Sequence, residues 1–98
     1  MVEIRLAESA WIDLDDITDF IAKDSPRHAV LFSESVFERL EILYEFQKSG
    51  RVVPELGMPK YREILVSNYR IIYSIVEDTI YILTIRHQKQ LLSSKDIK

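Results

Sequence analysis

From Lys60 to His87 the chain reads KYREILVSNYRIIYSIVEDTIYILTIRH, rich in Ile, Val and Tyr and broken twice by short polar groups. β-Branched and aromatic residues suit the pleated, half-buried surface of a sheet. Ser67-Asn68 and Glu77-Asp78-Thr79 are turn material. The run therefore predicts three strands, about Lys60–Val66, Tyr69–Val76 and Thr79–His87, in an antiparallel meander. Such a sheet needs a second layer to bury a face.

The first half of the chain supplies that layer. Val2, Ile4 and Leu6 alternate with Glu3 and Arg5, the pattern of a half-buried strand. The period then changes. Ala7, Ala10, Trp11, Leu14, Ile17 and Ile21 recur at three and four, the stripe of an amphipathic helix. Asp13, Asp15, Asp16 and Asp19 read as a solvated helix face, because a calcium loop would need a glycine and non-helical backbone. Ser25 suits an N-cap and Pro26 the first helical position. A second helix follows to about Gln47, with Ala29, Phe32, Val36, Leu40 and Leu43 on one stripe and Val30, Phe37 and Tyr44 on a second edge. Plain core packing is the favoured reading of Phe37 and Tyr44. Gly50 reads as the C-cap.

RVVPELGMPKY, with two prolines and a glycine, reads as a loop. QKQLLSSKDIK is a polar tail, with one helical turn at most. The expected fold is α+β in the order β-α-α-β-β-β. A helical hairpin packs on one face of a small, mainly antiparallel curved sheet, and nothing is left to cover the other face.

That open face is where the arginines matter. Tyr69, Ile71, Tyr73 and Ile75 share one face of their strand, and Tyr81, Leu83 and Ile85 one face of the next. Both sets are assigned to the helices. The open face then carries Arg70, Ile72 and Ser74, then Ile82, Thr84 and Arg86. A three-residue turn at Glu77-Asp78-Thr79 pairs residue 76 with 80 and places Arg70 across from Arg86. Ile64 and Val66 read as core, which leaves Glu63 and Leu65 on the open face, with Glu63 diagonal to Arg70. That surface pair is worth about 0–1 kcal/mol. Arg62 falls on the core side near a strand end, with its charged head reaching outward. The alternative is an anion-facing or partner-facing patch of Arg70, Arg86, His87 and Lys89.

Bulk properties narrow the function. The 98 residues suffice for one domain. With no cysteine, disulfides, thiolate catalysis and Cys-based zinc sites are excluded. His28 and His87 lack metal-ligand spacing, so neither a metal nor a cofactor is expected. No secretory signal and no membrane-length apolar run is present, which makes the cytoplasm the expected compartment. Net charge is −3 and the sequence pI about 5.3. Residues 1–50 hold five Lys/Arg against eleven Asp/Glu (−6), and residues 51–98 hold eight against five (+3). Phosphate binders are usually basic throughout, so direct DNA binding by this chain alone is not expected.

ESAWIDLDDITDFIAKDSP, then SGRVVPELG, then YREILVSNYRIIYSIVEDTIYILTIRH together resemble a RelE/ParE-family toxin of bacterial type II toxin–antitoxin (plasmid stabilisation) systems. The resemblance runs from about residue 4 to 88. It implies one toxin domain over residues 1–88, followed by the tail at 89–98, and a cognate antitoxin as partner. The family has two branches, one cleaving messenger RNA in the ribosome and one inhibiting DNA gyrase.

Ribonucleolytic attack by a 2′-hydroxyl needs a base, an acid and positive charge on the phosphorane. The resemblance offers Arg70, Arg86 and His87 as catalytic candidates for a RelE-like mRNA interferase. By alternation, however, His87 points away from Arg86, no tyrosine follows in the tail, and the chain is acidic. SGRVVPELG and IYILTIRH resemble the ParE branch more closely. The favoured reading is therefore a gyrase inhibitor that binds protein, with Arg70, Arg86, Glu63, Lys89 and Arg62 as candidate binding residues. A remnant that binds antitoxin but no longer poisons growth is the third reading. The antitoxin is expected on the Val30–Phe37–Tyr44 edge or as an acidic tail over Arg70 and Arg86.

Overall fold

The computed structural model describes residues 2–97. Its elements are β1 (Glu3–Leu6), α1 (Glu8–Asp24), α2 (Pro26–Ile42), β2 (Arg51–Val52), β3 (Tyr61–Val66), β4 (Tyr69–Val76) and β5 (Thr79–His87), then a 3-10 turn at Ser94–Asp96. The expected order holds, with the two-residue β2 added inside the loop. The strands form one sheet in the order β1-β5-β4-β3-β2. β1 runs parallel to β5 and every other pair is antiparallel.

Ser25 alone joins the helices. Its N–H donates to Ile21 O and ends α1, while its hydroxyl accepts the His28 N–H at 3.2 Å and starts α2, with Pro26 at the first position. α2 ends at Ile42, five residues earlier than the expected Gln47. A buried tyrosine ties down the chain beyond it: Tyr73 donates its hydroxyl proton to Gln47 O at 2.8 Å and accepts the Gly50 N–H at 3.1 Å. Gly50 is therefore not a helix cap. A Cβ there would lie 2.5 Å from Glu63 O and 2.7 Å from the Tyr73 hydroxyl, so close approach to the sheet demands glycine.

The main core lies between the hairpin and the sheet. It joins Leu14 of α1, Phe32, Val36 and Leu40 of α2, and Ile64, Ile71, Tyr73 and Ile82 of the sheet. Ile64 and Val66 face it, as expected. β5 does not alternate as expected. Its turn is two residues long, pairing Val76 with Thr79, and a bulge opposite Ile72/Tyr73 then restores the register, so Arg70 does pair with Arg86. The bulge also reassigns faces. Ile80 and Ile82 join the main core, and Leu83 packs on the opposite side.

That opposite side is not open. Val53, Ile72 and Leu92 are buried there, with Leu56, Tyr61, Leu83 and Ile97 packed against them. The Val53–Lys60 loop and the C-terminal segment thus cover the face expected to be bare.

Asp13 also departs from expectation. β1 ends at Leu6, which would leave the far half of β5 without an edge partner, and α1 takes over. Ser9 donates its hydroxyl proton to Leu83 O, and Asp13 accepts both the Ile85 N–H (3.0 Å) and the Thr84 hydroxyl proton. Asp13 satisfies a sheet edge, whereas Asp15, Asp16 and Asp19 are exposed as expected.

Candidate functional site

Arg70 is 4% exposed and Glu63 2%. Their diagonal placement across β3 and β4 brings them together as expected, but in a buried network rather than a surface pair. Arg70 Nε donates to Glu63 Oε1 at 2.9 Å. Nη1 donates to Glu55 Oε2 (2.6 Å) and to Gln90 O (3.0 Å), and Nη2 to Glu55 Oε1 (2.8 Å) and Glu63 Oε1. A guanidinium has five N–H donors, and these contacts use all of them. Arg51 reaches in from β2, its Nε 2.6 Å from Glu63 Oε2. The charges cancel: Arg51 and Arg70 against Glu55 and Glu63.

Electrostatics follow the geometry. The Arg70 guanidinium holds the Glu55 carboxyl down at about 2, against the opposing effect of burial, and the Leu92 N–H adds to the stabilisation. Glu55 in turn raises the Arg70 pKa, with Glu63 contributing. Arg70 is thus a permanent cation with no donor free for a ligand.

Of the remaining candidates, Arg86 and His87 border one shallow cavity with Asp13, Asp16 and Gln90, but each has its own partners. Arg86 stands across from Arg70 but turns to Thr84 Oγ1 and to Asp96 Oδ1, both at 3.3 Å. That answers the like-charge conflict: each arginine has its own acids. His87 points to the other side, as alternation predicts, its ring edge-to-face with Tyr69 at 5.5 Å. Its Nδ1 accepts the Lys89 N–H at 3.2 Å, and Lys89 itself is exposed. Arg62 lies on the helix side with Nη1 donating to Gly50 O at 3.0 Å. Arg70, Arg86, His87 and Lys89 therefore do not form one anionic-ligand patch. Sequence reasoning missed Glu55, Gln90 and Leu92. The available signal was an arginine inside an apolar strand, which requires carboxylates from elsewhere once it is buried.

The other conspicuous feature is on the helices. Phe37 and Tyr44, favoured as core, are exposed, as are Val30, Trp11, Phe20 and Phe46. Trp11 of α1 and Phe37 of α2 meet across the hairpin with ring centroids 6.1 Å apart. Glu34, Glu38 and Glu41 border a shallow groove with Phe37, and Glu41 and Glu45 one with Phe46. Grouped exposed apolar residues rimmed by polar ones mark protein-binding surfaces. Among the described residues, no helix is long and apolar enough to cross a membrane.

Residues 4–92 match the family model described as the ParE toxin of type II toxin-antitoxin systems, parDE. None of the curated proteins matches the chain in sequence. Among solved structures the chain is similar to one described as the chromosomal ParDE TA system from P. aeruginosa. The identity is 21% and the TM-score 0.73, over 89% of this chain and 96% of that one. It is also similar to a conserved hypothetical protein from Helicobacter pylori, at 16% identity and a TM-score of 0.57, covering 94% of this chain and 100% of the other. At these identities the structural likenesses speak for the fold.

Proposed function

The chain belongs to the ParE toxin family of type II toxin–antitoxin systems, and on that premise we propose that it poisons growth by binding DNA gyrase and is neutralised by a cognate antitoxin. The observation that carries a protein-binding reading over a nuclease reading is the state of Arg70. All five of its N–H donors are committed to Glu55, Glu63 and Gln90. A cation held this way has nothing to offer a phosphorane. His87 and Arg86 border one shallow cavity, but the His87 ring packs edge-to-face on Tyr69 and Arg86 turns to Thr84 and Asp96, which supports the same reading.

The surface left for a partner is the hairpin. Trp11, Phe37, Val30 and Tyr44 are exposed among carboxylates. This surface suits an antitoxin segment whose apolar side chains are flanked by Lys or Arg. The acidic tail expected over Arg70 and Arg86 is not needed, since Glu63, Glu55 and Asp96 already fill that role.

The test is a pulse-label experiment after inducing the chain alone in bacteria that lack the antitoxin. Thymidine incorporation is expected to fall before methionine incorporation, and purified protein is expected to inhibit supercoiling by gyrase. Loss of translation first would replace this reading with the RelE-like mRNA interferase. No change in either, with soluble protein confirmed, would leave an antitoxin-binding remnant.

A further inference from the structure

Beyond His87 the chain turns back over the face of the sheet that the helices do not cover. The turn is tight: Gln90 N–H donates to His87 O at 2.9 Å, and the His87 N–H donates to the Gln90 side chain at 3.1 Å. From there the segment is held at few points. Gln88 N–H reaches Asn68 O, Gln90 O accepts from Arg70, Leu92 N–H donates to Glu55, and Asp96 meets Arg86. Leu92 is 5% exposed and is the buried anchor, while its neighbour Leu91 is 82% exposed. Ser93 and Asp96 close a capping box that shapes the last turn.

The arrangement beneath the segment is complete in charge only while it is closed. Arg51, Arg70 and Arg86 face Glu55, Glu63 and Asp96, three against three. Opening the segment removes Asp96 and the Gln90 carbonyl. The face then holds three arginines against two carboxylates over an apolar floor of Ile72, Val53 and Leu83.

We propose that residues 90–97 are a detachable strap, hinged at His87–Lys89, that opens as a unit without unfolding the domain and uncovers a cationic, partly apolar sheet face. The physical basis is the contrast in attachment. β5 is held by a ladder to β4 along one edge and by β1, then Ser9 and Asp13, along the other, whereas the strap has one buried apolar anchor, Leu92, one partly buried contact, Ile97, and a few polar contacts. Segments with few buried contacts open at lower free energy than the core. The inference concerns the fold itself and stands whether or not gyrase is the target.

Amide hydrogen exchange on the full chain tests it. In wild type, the Leu92 amide is expected to exchange at least tenfold more slowly than in a free peptide, and at least tenfold faster than the core amides of Ile71 and Tyr73. Leu92→Ala and Glu55→Gln are each expected to speed exchange across residues 90–97 several-fold or more, with Ile71 and Tyr73 still exchanging at least tenfold more slowly than residue 92. Exchange of Leu92 at the core rate would mean that the strap opens only on global unfolding and would overturn the proposal. So would free-peptide exchange in wild type, which would mean that no closed strap exists. Because the wild-type measurement decides both, failure of a variant to fold does not shield the idea.

Discussion

On the helix side of β4, Ile71 and Tyr73 share a dry cluster with Leu14, Val36 and Leu40. On its other side, Arg70 and Ile72 lie under a loop and a strap, with the charge closed by Glu63 and Glu55. The first face is sealed by area. Apolar burial is non-directional and forgiving in detail. The second is sealed by partners. A buried cation is tolerated only while its carboxylates are present, so this face depends on residues drawn from three separate segments.

The comparison can be broken most severely at Arg70. Arg70→Ala leaves Glu63 buried and short of its main partner, and is expected to cost about 3–5 kcal/mol in denaturant unfolding. Joint replacement Arg70→Met with Glu63→Leu is expected to recover most of that loss, because a matched apolar pair needs no compensating charge. If the single and double variants were equally unstable, the ion network would not be what holds this face.

Asp13→Ala is the next largest. It strips the edge of β5 of an acceptor for the Ile85 N–H and the Thr84 hydroxyl. The expected loss is about 1–3 kcal/mol, read from the unfolding midpoint. Asp13→Asn, which retains an acceptor, should lose less. On the dry face, Ile71→Val is expected to cost about 0.5–1.5 kcal/mol, a methylene and its small cavity.

Acid sharpens the contrast further. Glu55 titrates near 2 when folded, against an ordinary value of 4.5. A depressed carboxylate stabilises the fold above its unfolded value, and that contribution disappears as pH falls through the folded one. The stability gap between wild type and Glu55→Gln is therefore expected to be full at pH 5 and to close between about pH 4.5 and 2. Thermal unfolding at stepped pH reads this directly, and a pH-independent gap would remove Glu55 from the network.

On the hairpin surface the effect on binding outweighs that on stability. Trp11→Ser is expected to cost about 0.5–1.5 kcal/mol, the worth of the Trp11–Phe37 ring contact it removes. If the proposed antitoxin site is right, the same change, alone or with Phe37→Ser, weakens antitoxin binding at least tenfold in titration calorimetry. Unchanged affinity would move the antitoxin elsewhere.

The case of Arg70 and Arg86 shows how far pattern reading reaches. Their pairing was legible, yet by two compensating departures: the turn is one residue shorter than expected and β5 carries one extra residue in a bulge. Tyr81, Ile82 and Leu83 are all apolar, so alternation offers no mark of where the bulge lies. Phe37 and Tyr44 illustrate the opposite limit. Their spacing on α2 is that of a helix edge, but nothing local says whether that edge meets a sheet or water.

By itself the sequence determined what neighbours along the chain can decide. The 3.6-residue and two-residue periods, the Ser25-Pro26 junction, the meander and the separation of acidic and basic halves all depend on residues a few positions apart. Only the tertiary structure decided which sheet face is covered, that Arg70 is buried and fully partnered, and that Gly50 serves close packing rather than a helix end. Those outcomes depend on groups that meet only after folding: Glu55 and Gln90 at one guanidinium, Asp13 at the edge of β5, Tyr73 at Gly50. Local propensity carries no record of such meetings, because their energy arises from burial and charge pairing at long sequence separation.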